Sequence, residues 1–289
     1  MKKNTFFVYR PERFNIPGNF LVAVIGGVLA FYISLLWKME DIAHAGMSAI
    51  FGLAIGSLLW EKRRKFISQS RLSDVLLGST IIFWGIAQPL LFNNELTLRL
   101  IPLIGGLGLA IMASGLRGIH HHWRELTMLF FLMVPKLVIS AVTDISPLTA
   151  KFSAFLLWYS GFDVSLVESR IIALPTGSIK VYGPCSGLES MTYLLGLSVV
   201  CLILYPLTRR IHQVIVPLLA LVIGFSTNAI RVMALAVLSA QDRTTTFDYW
   251  HEGEGSLVVG MIGVLILGTA YYLLLSKSEV QVPESADKA

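Results

Sequence analysis

The stretch "KVYGPCSGLESMTYLLGLSVVCLILY" (Lys180–Tyr205) decides the fold class. It passes from a polar Gly-Pro turn with a cysteine into an apolar run near the length that an α-helix needs to cross a membrane. Similar runs recur along the 289 residues, of which 55% are hydrophobic and only 14% charged. A soluble domain carries about 25% charged residues. We therefore expect an all-α polytopic membrane protein.

Eight apolar runs predict transmembrane helices, and they fall into groups. The predicted spans are residues 18–37, 41–60, 74–92, 98–116, 125–143, 188–206, 213–239 and 256–275. We divide the chain into a five-span region (1–143), a loop (144–187), a three-span region (188–275) and a polar tail (276–289).

The positive charges of the loops predict the orientation. Thirteen Lys and Arg residues lie before the first span and in the loops after the second, fourth and sixth, against six in the opposite loops. Cytoplasmic loops are enriched in Lys and Arg, so both termini should be cytoplasmic in the cell (inner) membrane. The net charge of +5 then reflects membrane topology, and we expect no nucleic-acid partner.

The loop 144–187 should lie on the extracytoplasmic side. Its segment "TAKFSAFLLWYSGF" (149–162) is short and aromatic, which predicts a helix at the membrane interface. The following "VSLVESRIIALPTGSIKVYG" (164–183) alternates around Pro-Thr-Gly and predicts a β-hairpin with strands near 164–173 and 178–182.

Three chemically suited residues converge on this same side. Pro184 suits the first position of a helix, which would put Cys185 in the first turn of the sixth span, where the helix dipole favours a thiolate. Arg231 lies in the outer part of the seventh span, with Asn228 on the same face, and His251 follows that span in a loop. A thiolate nucleophile, a histidine that moves protons and an arginine that stabilises an oxyanion suit cysteine acyl transfer.

The segments "GPCSGLES", "STNAIRVMAL" and "HEGEG" resemble, in order and spacing, the three signatures of the exosortase/archaeosortase family. The likeness covers about residues 144–275 and is strongest to the cyanobacterial exosortases. It implies a membrane cysteine transpeptidase that cleaves a C-terminal sorting signal of the PEP-CTERM type from exported proteins. It further implies Cys185 as nucleophile, Arg231 as oxyanion or thiolate stabiliser and His251 as proton carrier, with transfer to an acceptor. The identity of the acceptor stays open, with a lipid or glycan as a candidate.

Other readings stay open. The chain could be a secondary transporter with Arg231 in an anion site, or a non-catalytic membrane assembly protein. Glu189 and Asn228 are candidates for the shell around the site, and Lys136 for a pair with Asp144 or for reaching the interface. The triplet "HHH" (His120–His122) suggests a metal, but adjacent helical residues diverge by about 100°. We therefore expect no metal and no cofactor.

Overall fold

The computed structural model describes residues 18–39, 42–62, 70–92, 95–251 and 253–279, and it is mainly helical. The helices are α1 (Gly18–Met39), α2 (Ile42–Lys62), α3 (Leu72–Leu91), α4 (Glu95–Gly118), α5 (Trp123–Val142), α6 (Ser146–Tyr159), α7 (Leu188–Leu204), α8 (Arg210–Ala240), α9 (Thr244–His251) and α10 (Glu254–Glu279). The basic N-terminus, much of the cluster "EKRRK" and the end of the predicted tail lie outside the described residues.

The expectation of a polytopic all-α membrane protein is confirmed. The described part of the chain contains six stretches that are long and apolar enough to cross a membrane. One of them, Thr97–Val142, has 46 residues and contains two of the predicted spans, which a 3₁₀ turn at Ile119–His122 divides. The predicted span 188–206 is the 17-residue α7, shorter than the six, because Pro206 follows its cap at Tyr205.

Two compact units make up the described chain. The described parts of Met1–Glu40 and Ile55–Leu129 form the first unit. Within it, α3 and α4 approach closely at Gly78 and Gly108, where a Cβ added to Gly78 would lie 2.5 Å from the carbonyl oxygen of Gly108. Small residues permit such contact between helices in lipid.

The described parts of Asp41–Ala54 and Phe130–Ala289 form the second unit, which holds all the candidate site residues. Here α7 packs against α8 at Gly224, whose added Cβ would lie 2.7 Å from the Cα of Met191. Helix α6 packs against α8 as well, since Ser153 donates a hydrogen bond of 2.9 Å to the carbonyl of Ala229. The first contact fixes the start of α7 beside the middle of α8, and the second fixes α6 against the same helix.

The loop 144–187 contains the predicted β-hairpin around Pro-Thr-Gly, and a third strand extends it into an antiparallel sheet. Its strands are β1 (Ser165–Val167), β2 (Ile171–Leu174) and β3 (Gly177–Lys180), in that order across the sheet. The predicted strand 164–173 is broken because Glu168 and Ser169 adopt left-handed backbone angles, with φ of 49° and 59°. These residues form a tight turn that starts β2.

One small hydrophobic core joins α6, the sheet and α8. Its buried members are Ala150, Ala154, Leu157, Ile172, Val181, Val232 and Ala236, and Cys185 packs against it. The sheet is tied to the end of α8 where Thr176 donates a hydrogen bond of 2.7 Å to the carbonyl of Ala240. This core therefore carries the segment that leads from β3 to Cys185.

Asp144 joins the start of α6 to the turn between β1 and β2. Its Oδ1 accepts a hydrogen bond from the backbone N–H of Ser146, and its Oδ2 lies 2.8 Å from Nη2 of Arg170. Asp144 pairs with Arg170 and Lys136 with Glu189, so the pair of Lys136 with Asp144, one of the two alternatives for Lys136, is wrong. Hydrogen bonds from Ser146, and then the charge of Arg170, hold the pKa of Asp144 below its usual value.

We predict that Asp144→Asn lowers the thermal stability of the protein at neutral pH but not in acid. A carboxyl whose pKa is lowered by folding contributes stability above its unfolded pKa, and this contribution is lost as the pH falls. Melting of wild type and variant in detergent at pH 7 and at a series of lower pH values measures the difference, which should shrink as the pH falls below the ordinary Asp value toward the lowered pKa of Asp144. A difference that stays constant over the whole series would contradict this account.

Candidate active site

Cys185 lies in a separate 3₁₀ turn that precedes the helix α7. The turn comprises Gly183–Cys185, and α7 begins only at Leu188. Within the turn, Cys185 N–H donates to the carbonyl of Tyr182 at 2.9 Å, and Ser186 N–H donates to Gly183 at 3.1 Å. The prediction that Cys185 occupies the first turn of the sixth span is therefore wrong, because these bonds close a tighter turn.

The left-handed Gly187 connects this turn to α7. Its φ is 89°, and a Cβ added there would lie 2.7 Å from Nδ2 of Asn228. Asn228 is buried, and its Nδ2 donates a hydrogen bond of 3.0 Å to the carbonyl of Cys185. Only glycine combines this backbone conformation with so close an approach.

A second side chain holds the next carbonyl of the same turn. Thr149 of α6 is fully buried, and its Oγ1 donates a hydrogen bond of 2.6 Å to the carbonyl of Ser186. Two helices thus direct two consecutive carbonyls into the protein. Sequence reasoning missed Thr149, because nothing in its local sequence distinguishes it from a helical threonine bonded to its own backbone.

His251 approaches the thiol of Cys185 from another element. Its Nε2 lies 3.2 Å from Sγ of Cys185, within hydrogen-bonding distance for sulfur. His251 lies in the connection between α8 and α10, as expected, and is the last residue of the short helix α9 within it. The ring stacks on Phe247, one turn earlier, with 5.2 Å between centroids, and Tyr182 lies on another side at 6.4 Å.

Arg231 links α8 to the end of α9. Its Nε donates a hydrogen bond of 3.0 Å to the carbonyl of Trp250, and its Nη2 donates to the carbonyl of His251. These two carbonyls lie at the C-terminal end of α9, where the helix dipole is negative. A cation at this position is stabilised by the dipole. Arg231 also lies one turn of α8 after Asn228, which holds the carbonyl of Cys185.

Glu189, in the first turn of α7, forms an ion pair with Lys136 of α5. This pair is the one that Lys136 makes in place of the expected pair with Asp144. The ammonium of Lys136 also lies 5.8 Å from the ring centroid of Tyr193, whose hydroxyl is 3.0 Å from Nδ1 of the buried His44. A polar cluster thus extends from α2 through α5 to the site.

The described residues contain no group of three or more His, Cys, Asp or Glu side chains that could hold a metal ion. In the triplet, Nε2 of His122 lies 2.9 Å from the hydroxyl of Ser114, and the Nδ1 atoms of His120 and His121 each face a backbone carbonyl. The rings thus pair with separate partners in the first unit.

This arrangement can activate a thiol. A histidine within hydrogen-bonding distance of a cysteine accepts its proton and returns it to a leaving group. Arg231, bonded to the carbonyl of His251, brings positive charge to the site, which favours an anion at sulfur or at an attacked carbonyl oxygen. Three elements of the second unit, namely the 3₁₀ turn, α8 and α9, bring these groups together.

Residues 37–268 match a family model described as transmembrane exosortase. The match covers most of the chain and includes Cys185, Arg231 and His251. No curated protein and no solved structure matches the chain.

We predict that Gly187→Ala lowers the alkylation rate of Cys185 at neutral pH by roughly ten-fold. The left-handed backbone costs a residue with a Cβ about 1–2 kcal/mol, and the clash with Asn228 displaces the turn from His251. An unpaired thiol is only a few per cent thiolate at pH 7, so it reacts slowly. The measurement is the rate of iodoacetamide labelling in a Cys201→Ala background.

Gly183→Ala is the matched control for this variant. It lies in the same turn, and no atom lies within 4 Å of its added Cβ. We expect it to keep the rate of the parent protein. Equal rates for the two alanine variants would show that the backbone at Gly187 does not set the position of the thiol.

Proposed function

The chain belongs to the transmembrane exosortase family, and from this premise we propose that it is a membrane cysteine transpeptidase. Its substrates are exported proteins with a C-terminal sorting signal of the PEP-CTERM type, namely a short motif, a transmembrane helix and a basic tail. The observation that carries the proposal is the distance of 3.2 Å between Sγ of Cys185 and Nε2 of His251. The membrane anchors both enzyme and substrate.

The first half of the reaction forms an acyl-enzyme. His251 accepts the proton of the Cys185 thiol, and the thiolate attacks the scissile carbonyl of the substrate. The charge that develops on the carbonyl oxygen is stabilised by the positive charge of Arg231, which acts electrostatically while two of its nitrogens donate to the carbonyls of α9. His251 then donates its proton to the leaving amine, the C–N bond breaks, and a thioester on Cys185 remains.

The second half transfers the acyl group. A nucleophile, for which we propose a hydroxyl or amine of a lipid or glycan, gives its proton to His251 and attacks the thioester. The C–S bond then breaks, and the thiolate recovers a proton from His251. Water in place of that nucleophile would give hydrolysis. No step requires a metal or a cofactor.

The geometry of Arg231 favours this function over anion transport. Two of the three guanidinium nitrogens donate to main-chain carbonyls of α9. An arginine that binds a carboxylate or phosphate usually presents two parallel N–H donors to it. Here that fork is directed at the protein itself, which suits an arginine that aligns the neighbouring histidine.

We further propose that the site lies on the extracytoplasmic side, with both termini in the cytoplasm. The excess of Lys and Arg in the opposite loops supports this orientation. The site is also built from the start of α7, the second half of α8 and the helix α9 that follows it. All three lie at the same end of the α7–α8 pair.

Replacement of Cys185 tests the chemistry. We predict that Cys185→Ala and Cys185→Ser abolish cleavage of a co-expressed exported protein that carries a sorting signal, because neither side chain supplies the thiolate. Cys201→Ala is the matched control, since it removes the other cysteine, in the last turn of α7. Immunoblots of the substrate and of the membrane-bound enzyme give both readouts. Cleavage at the parent rate by both Cys185 variants would exclude the cysteine mechanism.

Thiol labelling tests the orientation. We predict that a membrane-impermeant maleimide labels Cys185 in intact cells, and that the signal disappears in Cys185→Ala cells, which retain Cys201. Detergent-solubilised protein serves as the control for access to the thiol. Labelling in inside-out vesicles but not in intact cells would place the site in the cytoplasm and reverse the proposed topology.

A further inference from the structure

Two ionisable residues at the site are not used by the reaction described above. Lys136 lies in the apolar helix α5, and Glu189 lies in the first turn of α7. Their side chains are 23% and 37% exposed and form an ion pair. Ionisable groups within membrane-spanning helices are costly and commonly serve a function, so this pair requires an explanation.

A second cation, Arg231, lies near Glu189. Glu189 follows Gly187 by two residues. A Cβ added to Gly187 would lie 2.7 Å from Nδ2 of Asn228, which lies one turn before Arg231 on α8. Arg231 nonetheless makes its hydrogen bonds to the two carbonyls at the end of α9. A guanidinium binds a carboxylate more strongly than it binds neutral carbonyls, because both partners are charged and the contact is often bidentate. The observed arrangement therefore needs something that keeps Glu189 away from Arg231.

Lys136 meets this need by its position. It contacts the carboxylate of Glu189 directly, and its own ammonium lies over the ring of Tyr193, where a cation is stabilised. We propose that Lys136 is a positioning residue that holds Glu189 and thereby leaves Arg231 bound to the end of α9. The role of Lys136 in catalysis rests on the proposed function, whereas its effect on the positions of Glu189 and Arg231 does not depend on that function.

Loss of Lys136 has a defined consequence. The carboxylate of Glu189 then turns to Arg231, and Arg231 releases the carbonyls that end α9. His251 loses the contact that fixes its backbone, and the distance of 3.2 Å between its Nε2 and Sγ of Cys185 is no longer maintained. Removal of the carboxylate as well should restore the site, because nothing then competes for Arg231.

A double-mutant cycle tests this proposal. Lys136→Met, Glu189→Gln and the double variant are made in the full-length protein with Cys201→Ala. The readouts are cleavage of the sorting-signal substrate and the pH profile of iodoacetamide alkylation of Cys185, each per amount of folded protein. We expect Lys136→Met to lower cleavage and neutral alkylation about ten-fold, and the double variant to return to within about three-fold of Glu189→Gln.

The ion pair of Lys62 and Glu125 supplies a matched control. It joins two helices of the first unit, with Nζ of Lys62 2.7 Å from Oε1 of Glu125, and Glu125 is buried. Lys62→Met should lower accumulation or melting temperature, as the loss of a purely structural pair does. It should leave the pH profile of Cys185 in the folded protein unchanged.

Several results would overturn the proposal. One is parental cleavage and alkylation in Lys136→Met, and another is a double variant as defective as Lys136→Met alone. If Lys136→Met does not accumulate, Lys136→Gln removes the same charge and is expected to show the same altered pH profile. Failure of the proposed function is distinguishable, because it would appear as absent cleavage in the parent protein while the alkylation cycle still reports on the position of His251.

Discussion

Arg231 carries a permanent positive charge into the apolar helix α8 and places it against the carbonyl end of α9. Inserting an arginine at the centre of a membrane helix costs about 2.5–3.5 kcal/mol. Hydrogen bonds to the carbonyls of Trp250 and His251 offset part of this cost, and the dipole of α9 contributes further. Because one of those carbonyls belongs to His251, the contact that stabilises the charge also fixes the backbone of the histidine that faces Cys185.

The thiol of Cys185 is positioned by hydrogen bonds that side chains of neighbouring helices donate to the backbone of its turn. Asn228 and Thr149 donate to the carbonyls of Cys185 and Ser186, so both carbonyls point into the second unit. The turn can lie this close to Asn228 only because Gly187 has no Cβ. Asn228 precedes Arg231 by one turn of α8, so a single helix face sets the position of both the thiol and the histidine.

Hydropathy predicted the parts of this protein that depend on composition, namely its class and its long apolar helices. The residue types and their order in the chain also brought Cys185, Arg231 and His251 together before any geometry was available. The helix α9 escaped prediction because "TTTFDYWH" is short and has little helix propensity, so its contacts with α8 decide its conformation. The partners of Lys136 and Thr149 were not predicted, because they lie on segments far away in the chain and the local sequence does not indicate such contacts.

In lipid, helices gain no hydrophobic stabilisation by packing against one another, so small residues and interhelical hydrogen bonds must align them. In the second unit these contacts meet at the site: Gly224 admits α7, Ser153 ties α6 to α8, and Asn228 holds the turn of Cys185. A change at any of these positions would loosen the packing of the helices and, at the same time, misalign the residues of the site. Lys136 differs, because its contact with Glu189 acts through charge, and removal of that carboxylate can compensate for its loss. It is thus a position at which alignment of the reactive groups can be separated experimentally from stability of the fold.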